Sequence, residues 1–173
     1  MLAMVFLGLT INAITADPVV NVPLLHSVGL PAIHDRRLLT IDATVPIVVT
    51  NTSPKPVRIW RDTCSWGYAN LSLELKDSDA KADDPGRLLV KLRRDWLRNA
   101  PDAAELAPGE SLVFMIKLSD DVWKDFDFFK SRVGKKVRMR VRYHNVEEAR
   151  ALEHKVWTGS LHTAYQDYVV GKP

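Results

Sequence analysis

The single cysteine is one of the residues in this chain that could carry chemistry. Cys64 follows a predicted strand, and Arg58 and Arg61 lie near it in sequence. Neighbouring cations favour a reactive thiolate, but a lone cysteine is most often a small buried side chain. We therefore expect a structural role for Cys64. A blue-copper site also needs histidines and usually a methionine, and none lies near Cys64 in sequence.

The histidines show no zinc-type spacing, since no two of them lie three or four residues apart as on one helix face. They are His26, His34, His144, His154 and His162. Scattered surface histidines are the favoured interpretation. His144 and His162 approach one another if the last two strands pair, so one alternative stays open. It is a metal-binding protein or enzyme whose site is assembled from distant residues such as Cys64, His144 and His162.

The carboxylates and serines form no catalytic pattern. Asp79, Asp83 and Asp84 share one loop, but a calcium loop has regular alternate spacing and a closing glutamate. The sequence has no Gly-x-Ser-x-Gly elbow and no carboxylate pair that the pattern places on one face. The sequence therefore predicts a protein that is not an enzyme, with no catalytic residue, no metal and no cofactor.

Basic and aromatic residues give the strongest indication of a binding surface. Arg138, Arg140 and Arg142 alternate along one strand, and Lys91, Arg93, Arg94 and Arg98 surround Trp96. Side by side, the two groups would form a positive, aromatic-bearing platform for an anionic polymer. The favoured interpretation is that these charged residues keep an outer sheet face soluble, and Glu74 or Glu110 could pair with them across strands. The predicted contact residues are Trp66, Tyr68, Arg94, Trp96, Arg138, Arg140 and Arg142.

Composition places the chain among ordinary globular proteins. Its 173 residues are 46% hydrophobic and 26% charged, with a formal net charge of +3. That charge does not indicate binding to nucleic acid, because proteins that bind nucleic acid usually show a denser basic cluster. One cysteine allows no intramolecular disulfide, so the fold must depend on its core.

The N-terminal sequence is typical of an export signal. Residues 2–14 are an apolar run that is too short to span a bilayer and has about the length of a signal-peptide core. The sequence thus predicts a signal peptide over 1–16 and a periplasmic or cell-envelope location. Contact with a membrane is expected only through this leader, if it is not cleaved.

Strand signals dominate the rest of the chain. Residues 137–143 alternate apolar and arginine side chains, which is typical of a half-buried antiparallel strand. Further strands are predicted near 39–50, 57–60, 71–75, 87–92, 112–118 and 155–162, with irregular or briefly helical structure over 95–105. One short helix is predicted near 120–129, where Asp120 can cap it and an apolar face at helical spacing is supplied by Val122, Trp123, Phe126 and Phe129. About seven strands closed by turns favour an all-β, immunoglobulin-like antiparallel sandwich. The predicted divisions are an extended segment along a sheet edge over 17–37, the sandwich over 38–165 and a tail over 166–173.

Four segments of the sequence are similar to those of a known class of domain. They are VPIVVTNTSPKPVRIW, LAPGES before an apolar strand, KKVRMRVRY and VWTGSL. Together they resemble the immunoglobulin-like or fibronectin type III-like sandwich domains of exported bacterial proteins, over about residues 38–163. The resemblance implies architecture and not activity, and the cysteine pair of antibody-type domains is missing.

The resulting functional expectation is a non-enzymatic exported module that binds or interacts structurally at the cell envelope. Its partner would be an anionic polymer or another envelope protein. A second alternative stays open, in which a proteinase-inhibitor-like sandwich presents an exposed loop at 77–86 or 95–105.

Overall fold

The computed structural model describes residues 19–21, 38–145 and 149–172. The predicted signal peptide over 1–16 and most of the segment over 17–37 lie outside the described residues. Of that segment, Val19–Asn21 forms a strand at the edge of a sheet.

Eleven strands and three short helices make up the described chain. The strands are β1 Val19–Asn21, β2 Leu38–Thr40, β3 Thr44–Thr50, β4 Val57–Trp60, β5 Leu71–Asp77, β6 Arg87–Val90, β7 Ala103–Leu106, β8 Ser111–Lys117, β9 Lys136–Asn145, β10 Gly159–His162 and β11 Gln166–Gly171. The helices are α1 Ser65–Tyr68, α2 Asp127–Lys130 and α3 Ala149–Glu153. None of these helices has the length and apolar character needed to cross a bilayer.

The strands form two larger sheets and one ribbon. The small sheet has the order β1-β3-β8, and the large sheet has the order β2-β11-β9-β5-β6, with β10 also paired to β9. Strands β4 and β7 form a two-stranded ribbon. Every pair is antiparallel except β2 with β11. The protein is therefore mostly β, as predicted.

Strand β9 lies at the centre of the large sheet. Val137, Met139, Val141 and Tyr143 are buried on one face, while the arginines between them are half-buried on the other. Strand β5 pairs along one side of β9, and β10 and β11 share its other side. The alternation predicted for residues 137–143 is confirmed.

One hydrophobic cluster joins both sheets and the ribbon. It includes Ile47 and Phe114 of the small sheet, Leu73 and Val141 of the large sheet, and Ile59 of the ribbon. The buried faces of the sheets thus contribute to a common core, which makes their positions interdependent.

Several strands differ from the sequence prediction. The strand predicted over 39–50 is divided into β2 and β3, because Asp42 has a φ of 64° and its backbone N–H turns to bond the Leu118 carbonyl. The segment over 95–105 ends in β7, whose Ala-Ala-Glu sequence has low strand propensity but pairs with β4. Residues assigned to a tail form β11, which pairs with both β9 and β2.

The helix predicted near 120–129 is reduced to its last turn, α2. Asp120 does not cap it, because α2 begins at Asp127 and has Phe126 at its N-cap. The Asp120 carboxylate accepts a hydrogen bond from Lys130 at 2.9 Å. The predicted apolar face is nevertheless buried, with Trp123, Phe126 and Phe129 in the core. Packing therefore decides the position of this segment more than helix formation does.

The turn after β3 is organised by a buried asparagine. The Asn51 amide donates to the carbonyls of Lys55 and Leu106, and its side-chain oxygen accepts from the backbone N–H and hydroxyl of Ser53. The side chain is fully buried. Asn51 thus links the β3–β4 turn to the end of β7.

We predict that Asn51→Ala lowers the free energy of unfolding by about 3 kcal/mol, since it leaves several buried polar groups without partners. Urea unfolding measures this change. Asn99→Ala is the matched control: exposed Asn99 also makes two side-chain hydrogen bonds, both to Ser65. Because water replaces those bonds, its cost should be about 0.5–1 kcal/mol. Equal costs at the two positions would contradict this account of the turn.

Candidate binding groove

An open groove lies where the chain leaves β6. Its volume is about 500 Å³, which is within the range of ligand sites. The lining residues come from α1 and from the segment after β6: Ser65, Tyr68, Ala69, Lys91, Leu92, Arg93, Arg94, Asp95 and Trp96. Three of the seven predicted contact residues, Tyr68, Arg94 and Trp96, thus meet at one place.

Backbone contacts fix both walls of the groove. The Leu92 N–H donates to the Val122 carbonyl at 2.8 Å, and the Lys124 N–H donates to the Val90 carbonyl at 2.9 Å. In α1, a Cβ on Gly67 would lie 1.9 Å from the carbonyl oxygen of Arg61. Only glycine allows this approach, which places the helix and its Tyr68 against the preceding chain.

The two aromatic rings of the groove contact one another edge to face. The centroids of Tyr68 and Trp96 are 5.8 Å apart, with an interplanar angle of 77°. The Arg94 guanidinium lies 4.9 Å from the Trp96 ring, and the Lys91 ammonium lies 4.6 Å from the Tyr68 ring. Such cation–π contacts hold the long basic side chains in place.

Lys91 is the buried charge of the site. Only 3% of its side chain is exposed, and its ammonium lies 3.6 Å from the Asp62 carboxylate. Burial lowers the pKa of Lys91 below the ordinary 10.5, and attraction to Asp62 opposes that effect. Lys91 therefore contacts Tyr68 and Asp62 from a buried position and is not the group that is most available to a ligand.

Exposed arginines supply the available charge. Arg93, Arg94 and Arg98 are exposed and form no salt bridge with any residue in the described ranges. Asp95 is the one carboxylate among the lining residues. The groove is therefore positive, with arginines free to take an anion.

The loop beyond the groove is held to α1. The Ser65 N–H donates to the Asn99 side-chain oxygen at 2.9 Å, and the Asn99 amide donates to the Ser65 hydroxyl at 2.6 Å. Asp102 accepts a hydrogen bond from the hydroxyl of Thr63. Two residues before Asn99, the Leu97 side chain is fully exposed.

The predicted arginine row lies on the outer face of the large sheet and is partly occupied. The Arg140 guanidinium is 2.6 Å from the Glu74 carboxylate and 4.7 Å from the Tyr165 ring. Arg138 donates to the Ala80 carbonyl, and Arg142 donates to the Ser160 hydroxyl. The predicted pairing of Glu74 across strands is confirmed, whereas Glu110 accepts from the Ala107 N–H instead.

The row and the groove belong to the same sheet. Arg142 lies opposite Ser72 of β5, and Ser72 lies opposite Val90 at the end of β6. Two interstrand spacings separate Val90 from Arg142, or about 10 Å. The two basic groups therefore do not form the single platform that was predicted. One group lies in a groove at the edge of the sheet, and the other lies on a separate arginine face.

Trp66 takes a different place from the other predicted contacts. Its ring lies 5.9 Å from Trp60 and 5.9 Å from the Arg150 guanidinium. It is half-buried against a small cluster that also contains Cys64 and Val156. Trp66 does not line the groove, although it is only two residues from Tyr68.

The structure separates Cys64 from the histidines of the alternative site. Cys64 is fully buried, and its thiol donates to the carbonyl of Arg61. His144 and His162 lie on the outer face of the large sheet, where β9 pairs with β10. In the described part of the chain, no three His, Cys, Asp or Glu residues are arranged to hold a metal ion.

Sequence reasoning missed the contribution of Lys91. The residue was grouped with the surface cations, and its burial depends on α1 and on Asp62, which are distant in sequence. One signal was present: Lys91 continues the alternation of buried Leu89. Its side chain therefore starts on the core side of the strand.

No family model, no curated protein and no solved structure matches this chain.

We predict that Lys91→Met changes the pH dependence of stability. The folded-state pKa of Lys91 is lowered, so the unfolded chain binds more protons in the alkaline range just below 10.5. The original protein should gain stability relative to the variant as pH rises through that range. Urea unfolding from pH 7 to 10.5 measures the difference.

Exposed Lys124 provides the control for loss of one ammonium. Lys124→Met should follow the original protein across the same pH range. If the Lys91→Met curve also runs parallel to that of the original protein, Lys91 is not a buried cation.

Proposed function

We propose that this protein is a non-enzymatic binding module whose groove takes a segment of an anionic polymer. The observation that carries the proposal is the meeting of Tyr68, Trp96 and Arg94 in one positive groove. Aromatic rings and arginines together suit a polymer that carries both ring faces and anionic groups.

The groove is prepared for binding before a ligand arrives. Arg94 is already placed over Trp96, and the loop is tied to α1 through Asn99. Ordering these groups in advance reduces the entropy lost on association. Because Arg93 and Arg94 form no salt bridge in the described ranges, a ligand does not have to displace a carboxylate first.

The lining residues favour binding over catalysis. They include one carboxylate, Asp95, and neither histidine nor cysteine. The lysine is paired with Asp62 and covered, so it is poorly placed to act as a nucleophile. These groups suit reversible electrostatic and stacking contacts.

The scaffold that we propose is an immunoglobulin-like sandwich. Two observations support it: most strand pairs are antiparallel, and the buried faces of the small and large sheets contribute to one core. In such a fold, loops at the sheet ends carry the binding residues. The groove, at the end of β6, has such a position.

We further propose that the module acts outside the cytoplasm, as the apolar run over 2–14 suggests. In a bacterial host, the full chain should then appear in the periplasmic or envelope fraction. A variant with Leu7→Arg should stay in the cytoplasmic fraction, because a charge interrupts the apolar run. Cytoplasmic recovery of the original chain would reject export and leave the groove proposal untouched.

The groove itself is tested with immobilised heparin as the anionic probe. Arg93→Ser combined with Arg94→Ser should weaken binding by about a hundredfold, since each lost charge-assisted contact contributes about 1.5 kcal/mol. Elution in a salt gradient and titration with soluble heparin measure the change.

A double variant of equal charge loss provides the control. Lys55→Ser with Lys172→Ser removes two exposed cations outside the groove. This control should elute close to the original protein. If the two double variants elute at the same salt concentration, binding is a general effect of net charge and the groove is not the site.

A further inference from the structure

The outer face of the large sheet carries an apolar strip on its edge strand. Leu88, Val90 and Leu92 are 45%, 38% and 36% exposed, while Leu89 between the first two is fully buried. Alternate residues of a strand share a face, so these three side chains form one line, here called the β6 strip.

Arginines run parallel to the β6 strip on the same face. Leu88 lies opposite Glu74, which lies opposite Arg140, and Val90 and Arg142 are related in the same way through Ser72. Arg138 lies opposite Lys76 in the next row. An apolar line and a cationic line thus lie about 10 Å apart on one sheet.

The cationic line keeps much of its charge. Glu74 neutralises Arg140, but Arg138 donates to a carbonyl and Arg142 donates to a hydroxyl. Neither arginine forms a salt bridge within the described ranges. Exposed Asp167 of β11 lies opposite Arg138 on the same face, so Arg142 supplies the positive charge that is most available for a partner.

A partner can contact the outer face of the large sheet but not its β6 edge, because the backbone of that edge is already paired. At Val90 and Leu92 the outward backbone groups of the edge already bond to Val122 and Lys124. Addition of a partner strand at that part of the edge is therefore blocked. What remains for a partner is the line of side chains and the adjacent arginines.

We propose that this face docks on the surface of an anionic lipid bilayer. A face with both apolar and basic side chains suits the boundary between lipid headgroups and acyl chains. There the apolar side chains are buried among the acyl chains and the basic side chains contact the phosphates. A soluble anionic polymer would use the arginines without needing the β6 strip. The site shares Leu92 with the groove but none of the groove's arginines, and it adds a membrane contact beyond the N-terminal leader.

Co-sedimentation with vesicles tests the proposal on the full chain. The vesicles contain equal parts phosphatidylglycerol and phosphatidylcholine, or phosphatidylcholine alone. The original protein should bind the anionic vesicles and bind the neutral ones at least about tenfold more weakly. Leu88→Gln with Val90→Thr should weaken binding to anionic vesicles by about tenfold, because less apolar surface enters the bilayer.

The small sheet offers a matched control. Val113 and Met115 are 50% and 60% exposed on its outer face, so Met115→Gln with Val113→Thr makes nearly the same chemical change elsewhere. This control should bind anionic vesicles like the original protein. Arg138→Ser with Arg142→Ser should weaken binding, whereas Lys55→Ser with Lys172→Ser should not.

Three results would overturn the proposal: equal loss in the two apolar double variants, no loss in either, or equal binding of the original protein to both vesicle types. The apolar run over 2–14 is present in every variant. If the protein binds vesicles through that run alone, neither apolar double variant loses binding. Heparin retention separates this proposal from the groove. The Leu88 and Val90 double variant should keep its heparin affinity while losing the vesicles. Thermal unfolding of each variant confirms that it is folded.

Discussion

Burial of one face of β9 is the constraint on which the other features depend. Four apolar side chains of this strand enter the core, and burial of each stabilises the fold by about 1.5–3 kcal/mol. A register shift of one residue would bring Arg138, Arg140 and Arg142 into that core. The pairing of β9 with β5 over seven positions is therefore strongly determined. The same determination fixes the arginines on the outer face.

The groove depends on this register indirectly, through β5 and β6. Once β5 is placed, its pairing with β6 sets where Lys91 leaves the sheet. Lys91 then meets Tyr68 and Asp62, which come from the region of α1. A buried ammonium is costly unless it is paired, so these contacts restrict the position of the chain between β6 and β7. Core packing thus determines a surface feature several residues away.

The sequence was sufficient for elements whose own pattern specifies them. The alternation in β9 and the apolar face around Trp123 and Phe129 could be recognised without tertiary information. Strand β7 could not, because Ala103, Ala104 and Glu105 favour no strand and are extended only by pairing with β4. The C-terminal strand β11 was missed for a similar reason, since its place between β9 and β2 depends on contacts distant in sequence.

The candidate site shows the same division between local and distant information. Residue type predicted Tyr68 and Trp96 as contacts, but their meeting depends on the bonds between Asn99 and Ser65. Trp66 shares its residue type with Trp96 and lies in the same helix as Tyr68, yet residues two apart on a helix do not face the same way. Tyr68 therefore turns to the groove while Trp66 packs on Trp60. Spacing within α1 could have separated these two aromatics, had the helix been recognised in the sequence.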